Sequence, residues 1–183
     1  TADETAEKSA EAVSEEKIIS MKPLTGEWKL AENSASVNTP YGYSALLLNP
    51  VKETSRLSFD VEAKGLAGSV GIAIHVDESF AVGYYIHIDF ARRRMEFKSG
   101  VRMTERGVQM FPYEVELERP LSSKTGECFH VDVIVSGTIL EVYVDNRVVL
   151  GTRMFDVTGG HFGLYASDAE ANFTNIKILE ENR

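Results

Sequence analysis

The sequence SVGIAIHVDESFAVGYYIHIDFARRRMEFKS, residues 69–99, alternates apolar and polar side chains with the period of two that is typical of β-strands. It divides into three predicted strands, at 69–76, 82–90 and 94–99, joined by short turns. The strands therefore form hairpins, with one face of the sheet packed on a core. The residues predicted on that core face are Ile72, Ile74, Val76, Tyr84, Ile86, Ile88, Phe90, Met95 and Phe97.

The same period continues on both sides of this stretch. Upstream, SRLSFDVEA at 55–63 places Leu57, Phe59 and Val61 on one face of a strand. Downstream, five strand-like runs follow with turn residues between them: CFHVDVIVSG, TILEVYVDN, RVVLGTRMF, GGHFGLYAS and ANFTNIKILE. About ten or more strands are best accommodated in two packed layers or in a sheet that closes on itself. The sequence therefore predicts an all-β fold, a two-sheet antiparallel β-sandwich.

Two regions depart from this pattern. Residues 1–17 are rich in Ala, Glu and Lys and carry few large apolar groups, so we expect a helical or disordered linker there and the sandwich domain at 18–183. Residues 100–127 alternate weakly and contain two prolines, which predicts one strand near 113–117 between long loops. Because the chain begins with Thr-Ala-Asp-Glu, we expect a piece of a larger protein.

Composition and charge exclude several classes of function. A formal net charge of −9 disfavours nucleic acid as a partner, since binding phosphates needs a basic surface. No apolar run approaches the roughly 20 residues of a membrane-spanning helix, so a soluble chain is expected and the compartment is left open. The single cysteine, Cys128, cannot form an intramolecular disulfide. We expect it to be a small buried apolar side chain, with Glu127 as a solvated charge at the strand edge.

The order of the C-terminal strands resembles a known module. HVDVIVSG, EVYVDNRVVL and GGHFGLYASDAEANFTNIKI are similar to successive strands of the concanavalin A-like jelly roll that follows the catalytic propeller in glycoside hydrolase family 32, the fructan and sucrose hydrolases. GYYIHIDFARRRMEF looks like the middle hairpin of that module, and the resemblance covers roughly residues 25–180. It implies a partner, the catalytic domain of the same polypeptide, and a role in stability, assembly or sugar contact.

The catalytic motifs of the resembled enzymes are missing from this chain. Retaining glycosidases need two carboxylates at close range, and the family's WMNDPNG nucleophile motif and its Arg-Asp-Pro triplet do not occur. Glu127-Cys128 matches the family's acid/base dipeptide, but two residues match easily by chance. Glu141, Tyr143 and Asp145 would share an outward strand face, for which an ordinary solvated surface is the simpler interpretation. We therefore predict no catalytic residues.

The sequence gives no sign of a metal site or of another cofactor. His75, His87, His130 and His161 lie on different predicted strands and lack the spacing of zinc ligands. His75 and His87 could approach each other on the outward face of the first hairpin, where neutral imidazoles can bind hydroxyl groups, but an ordinary exposed or packed role is the simpler interpretation.

A carbohydrate site needs an aromatic plane for a sugar ring and fixed polar groups for its hydroxyls. Tyr85, His87 and Asp89 meet this description on the outward face of the hairpin and are the predicted carbohydrate-binding residues. Trp28, Tyr41 and Tyr43 compete with them, although Trp28 is expected to pack at a sheet edge. Two hypotheses follow: an accessory domain of a family 32-like glycoside hydrolase, and an independent lectin-like carbohydrate-binding module.

Overall fold

The computed structural model describes residues 14–65, 68–101, 103–104, 107–108, 112–122 and 126–181. Every regular element in these ranges is a β-strand, which confirms the all-β prediction, and none is a helix that could cross a membrane. The strands in chain order are β1 (Ser14–Lys17), β2 (Lys22–Thr25), β3 (Trp28–Ala31), β4 (Ser34–Pro50), β5 (Thr54–Lys64), β6 (Ser69–Val76), β7 (Tyr84–Asp89), β8 (Arg94–Ser99), β9 (Met103–Thr104), β10 (Gly107–Val108), β11 (Val115–Pro120), β12 (Cys128–Ser136), β13 (Ile139–Val144), β14 (Val148–Arg153) and β15 (His161–Glu181).

All pairings of these strands are antiparallel, and two long strands connect the two layers of the sandwich. Residues 161–167 of β15 pair with β6 and with the end of β4, so this half belongs to the first sheet, ordered β11-β8-β7-β6-β15-β4. Residues 170–180 pair with β5, and residues 169–173 pair with the start of β4. This half belongs to the second sheet, ordered β3-β4-β15-β5-β12-β13-β14. The predicted two-layer antiparallel sandwich is therefore confirmed.

The main core lies between the inner faces of these two sheets. Ile74, Ile86 and Val142 are all fully buried there, and so are Leu57, Phe59 and Val61 of β5, as the period of two predicts. Burial of aromatic and branched side chains from both layers is the main source of stability for such a fold. The largest fully buried side chains are Tyr84, Phe59, Phe97, Phe162, Phe173, Leu46, Leu57, Ile72, Ile74, Ile86, Ile88 and Met95.

Val76 was predicted on the core face but packs on the outer side of the first sheet. It belongs to a second apolar cluster, which also contains Ala45, Leu47, Ala73, Phe80, Tyr85 and Tyr165. The reason is local: His75 has a φ of 57°, and the register between β6 and β15 shifts between His161 and Gly163. An irregularity of this kind reverses the alternation of the following residue.

Two strands have bounds that differ from the predicted ones. Ser14–Lys17 form an edge strand on β15, with Lys17 opposite Ile178, so strand structure begins four residues before the expected start at 18. Ladder hydrogen bonds to a neighbouring strand override the weak helical preference of this segment. The rest of the expected linker, 1–13, lies outside the described residues. The middle strand occurs at Val115–Pro120, slightly later than predicted, with its proline at the strand end.

Candidate functional site

Tyr85 lies on the predicted outward face of the hairpin, but other aromatic rings cover it. Its side chain is only 5% exposed and packs against Phe80, Tyr113 and Tyr165, with ring centroids 5.5–6.2 Å apart. Its hydroxyl donates a hydrogen bond to the carbonyl oxygen of Phe80 at 2.8 Å. The loop 77–83 thus folds over the outer face of the first sheet, and the Tyr85 ring is not available as an exposed platform.

His87 and Asp89 lie on the same strand as Tyr85 and are half-buried. The His87 ring stacks on Tyr165 with centroids 6.0 Å apart, and its Nδ1 is 3.1 Å from the Tyr165 hydroxyl. Burial lowers the pKa of His87, which favours the neutral ring. Asp89 accepts a hydrogen bond from the Arg92 backbone amide at 2.8 Å and so closes the turn after β7. The structure brings Tyr85 and His87 together on Tyr165, with Asp89 at the strand end.

His75 does not join His87 on this surface. Its left-handed backbone turns the ring away from the outer face of the sheet: Nδ1 hydrogen-bonds the carbonyl oxygen of Gly159, and the ring packs edge-on against Tyr84 of the main core. The two histidines therefore do not approach each other as the sequence suggested, because His87 pairs with Gly71, four residues before His75 on β6.

A polar groove lies on the outer face of the second sheet, and several strands contribute residues to it. In cross-strand register, Lys29, Ser36, Asn172 and Glu62 form one row across four strands. Asn38, Glu170 and Lys64 form the next row. A cavity of about 670 Å³ lies over these rows. We call it the polar groove, and its side chains are Glu27, Lys29, Ser36, Asn38, Glu62, Lys64, Glu170 and Asn172, with Trp28 at its edge.

The chemistry of the polar groove suits a ligand with many hydroxyl groups. Amides such as Asn172 offer both donors and acceptors, the carboxylates accept, and the lysines donate. They project from β-strands, which hold their positions more rigidly than loops do. Glutamates and lysines are interspersed, and Lys64 lies 3.7 Å from Glu62, so the surface is not of a single charge.

Trp28 has a packing role, as the sequence analysis expected. Its ring lies 6.2 Å from that of buried Phe173, and its indole nitrogen donates a hydrogen bond to the Thr25 carbonyl oxygen at 3.0 Å. It therefore closes the core at the edge of the second sheet and forms one wall of the polar groove.

A second recess continues the polar groove toward the point where β4 and β15 cross between the layers. It measures about 590 Å³ and is lined by Pro40, Tyr41, Gly65, Asp168 and Ala169 together with three residues of the polar groove: Asn38, Lys64 and Glu170. Tyr41 is 95% exposed. We call this space the Tyr41 recess. Tyr43, the neighbouring candidate, instead packs against Phe80 and Tyr165.

Beside the polar groove, β5 and β12 carry a network of ion pairs. His130 lies between two carboxylates, with Nδ1 2.7 Å from Asp60 and Nε2 3.3 Å from Asp132. Asp132 also binds the Arg56 guanidinium at 2.8 Å. A hydrogen bond from Asn175 and the contacts with His130 lower the pKa of Asp60. Both carboxylates are therefore engaged in contacts within the protein, which hold the surface beside the polar groove in place.

Cys128 is exposed, so its predicted burial is wrong. It lies at the start of β12 opposite Glu62, with Phe129 as the inward neighbour, and therefore extends the row of the polar groove.

Glu141 and Tyr143 lie on the outer face of β13 with Leu140, Val142 and Val144 buried behind them, as expected. Within the described ranges, no group of three or more His, Cys, Asp or Glu side chains is placed to hold a metal ion.

The polar groove could not be predicted from the sequence, because its residues are far apart in the chain. The alternation in β5 did predict that Glu62 points outward. Only the pairing of β15 with both β4 and β5 shows that Glu62 and Asn172 are neighbours.

Comparison with known proteins gives a family match and several similar folds. The sequence profile described as "Glycosyl hydrolases family 32 C terminal" matches residues 26–180. A search of curated protein sequences finds no match. Carbohydrate binding module CBM66 from Bacillus subtilis has a similar structure, with a TM-score of 0.73 and 18% identity over 89% of this chain and 97% of that one.

Two further solved structures share the fold. The β-fructofuranosidase of Aspergillus kawachii, complexed with glycerol, gives a TM-score of 0.63 and 16% identity over 87% of this chain. The match spans 28% of that enzyme's length. The carbohydrate recognition domain of Emp47p gives a TM-score of 0.60 and 12% identity, over 90% of this chain and 89% of that one.

Proposed function

The chain belongs to the C-terminal domain family of family 32 glycosyl hydrolases, and we propose that it is an accessory domain that binds carbohydrate in the polar groove. Its partner in this role is the catalytic domain of the same polypeptide. The fructan- and sucrose-type sugars of β-fructofuranosidases are the first ligands to test. An independent lectin-like module is the less favoured alternative, because the family match describes a domain of a larger enzyme.

The observation that carries this proposal is the cross-strand arrangement of the groove. Asn172 faces Ser36 on one side and Glu62 on the other, so an amide, a hydroxyl and a carboxylate lie side by side on adjacent strands. Neighbouring strands are about 4.8 Å apart, which suits hydrogen bonds to successive hydroxyls of a sugar. The mixture of charges favours a neutral ligand over an anionic polymer.

The hairpin residues Tyr85, His87 and Asp89 are the second candidate surface. His87 is half-buried and retains one ring nitrogen beyond its contact with Tyr165, and Asp89 is half-buried at the strand end. The covered ring of Tyr85 supports a positioning role beneath such a site rather than stacking. The polar groove is favoured because its polar side chains line an open cavity.

The test is calorimetric titration of the purified chain with sucrose, inulin and levan. We expect binding to be weakened about tenfold or more in Asn172→Ala and Glu62→Gln, since each removes hydrogen bonds to the ligand. His87→Gln, on the opposite layer, is the matched control and should bind as the parent chain does. Loss of affinity in His87→Gln with no change in the groove variants would move the site to the hairpin face. No binding by the parent chain would contradict the proposal.

Catalysis is tested separately with the same sugars. We expect no release of glucose or fructose from sucrose, inulin or levan by the chain alone, because the motifs that supply the two carboxylates are missing from its sequence. Measurable turnover, lost on substitution of Asp60 or Asp132, would contradict the accessory role.

A further inference from the structure

We propose that the polar groove and the Tyr41 recess form one cleft with at least two sugar subsites, in which the Tyr41 ring stacks on a sugar of the outer subsite. This inference rests on the proposed function and specifies the ligand as an oligosaccharide chain rather than a single sugar.

The two spaces are continuous because they share one row of side chains. Asn38, Glu170 and Lys64 are paired across β4, β15 and β5, and all three line both cavities. A ligand that fills the groove and extends past this row enters the Tyr41 recess. The combined space exceeds what a single sugar occupies, which favours a chain of linked sugars.

The backbone presents Tyr41 in a defined way. Thr39 pairs with Ala169 and Tyr43 pairs with Ser167, so residues 40–42 of β4 lie opposite the single residue Asp168 of β15. This irregularity is a bulge, a feature that commonly re-aims a side chain. A carboxylate oxygen of Asp168 accepts a hydrogen bond from the Gly42 backbone amide at 3.0 Å and ties the bulge to β15.

Two left-handed backbone conformations shape this bulge. Asp168 has a φ of 50°, and Gly42 has a φ of 132°, a conformation that L side chains rarely adopt. Non-glycine residues in the left-handed region cost free energy and cluster at functional sites. Here Asp168 and Gly42 shape the segment that carries Tyr41.

The exposure of Tyr41 distinguishes it from the other tyrosines near the crossing. Tyr43 packs on Tyr165, and Tyr165 is itself buried, whereas Tyr41 is 95% exposed at the rim of the recess. An exposed aromatic plane beside fixed polar groups is the arrangement that binds the apolar face of a sugar ring. Because the bulge fixes the backbone at Tyr41, only the rotation of its side chain has to be ordered on binding.

The experiment is a calorimetric series with fructose, sucrose, 1-kestose and nystose on the full chain. In the parent chain we expect affinity to rise with the number of sugars, as the second subsite is filled. Tyr41→Ala should lose about tenfold in affinity for 1-kestose and nystose and little for the shortest sugar that binds, while Tyr41→Phe keeps the ring and the affinity. Phe155→Ala, which removes another exposed aromatic ring outside the cleft, is the matched control.

The outcomes separate this inference from the proposed function. Binding that is independent of chain length, or equal in Tyr41→Ala and the parent chain, would overturn the second subsite and leave the groove intact. No binding of any sugar in the series or of levan would overturn both. Equal thermal unfolding of Tyr41→Ala and the parent chain is expected, since the ring is exposed, and shows that a loss of affinity is local.

Discussion

The alkylation rate of the Cys128 thiol reports on the charges of the polar groove. Partial burial is the main cause of the raised pKa of its thiol, and the nearby carboxylates of Asp60, Glu62 and Asp145 raise it further. The thiolate is the reactive form, so alkylation should be slow at neutral pH. Glu62→Gln removes one negative charge and should lower the pKa and speed alkylation severalfold.

The rate of modification by iodoacetamide, followed from pH 7 to 10 by mass spectrometry, measures this effect. Glu141→Gln is the matched control, because Glu141 lies on β13 and is not among the groups that raise the thiol pKa. Identical pH profiles for Glu62→Gln and the parent chain would show that Glu62 does not act on the thiol. Bound oligosaccharide should also slow the reaction, since Cys128 extends the groove row.

The lowered pKa values of His75 and His87 predict how the free energy of unfolding depends on pH. Burial lowers the pKa of both rings below the ordinary value of about 6.5. As the pH falls from 7 toward 5, the unfolded chain therefore binds protons before the folded chain does, and the free energy of unfolding decreases. The two neutral rings stabilise the folded chain fully above about pH 6.5, and this stabilisation is lost as the pH falls below that value.

Urea unfolding at pH 7.5, 6.0 and 5.0 tests this prediction. The double variant His75→Asn and His87→Gln should show a flatter pH dependence in that range, because neither new side chain titrates and Asn accepts the left-handed backbone of residue 75. An unchanged slope in the double variant would contradict the assignment to these two rings.

At the scale of elements, the hairpin between β13 and β14 follows directly from its sequence. Asp145 and Asn146 have φ values of 50° and 53°, and the Arg147 amide donates to the Val144 carbonyl oxygen at 3.0 Å, the geometry of a type I′ turn. Asn146→Ala should lower the free energy of unfolding by about 1 kcal/mol, because alanine tolerates this conformation poorly. Asn146→Gly should leave it equal or higher.

Thermal unfolding of the two variants checks the turn. Arg147→Ala serves as the control, since this residue follows the two left-handed positions and is exposed. Equal destabilisation by Ala and Gly at position 146 would mean that the Asn side chain, rather than its backbone conformation, stabilises the hairpin.

Strand alternation could be predicted because it depends only on neighbouring residues. The inward faces of β5, β7, β8, β12 and β13 follow the period of two. The prediction fails where tertiary pairing decides: Ser14–Lys17 are extended only because β15 offers an edge, and Val76 changes face because His75 adopts a left-handed backbone.

At the level of the whole molecule, the polar groove depends on the register in which distant strands pair. Asn172 and Glu62 are 110 positions apart, and only the double pairing of β15 makes them neighbours. The sequence could identify outward polar residues but not which strands adjoin, so it favoured the locally visible hairpin of Tyr85, His87 and Asp89. The cover over Tyr85 was also hidden, because Tyr165 reaches its ring only through the pairing of β15 with β6.

The proposed carbohydrate site lies on the outer face of the second sheet. Chemical-shift mapping of the isotope-labelled chain, titrated with nystose, tests it most directly. We predict that the perturbed backbone amides lie in 27–31, 34–42, 60–65 and 168–174, with a smaller effect at Cys128. Perturbations confined to residues 84–89, or no perturbation at millimolar sugar, would contradict it.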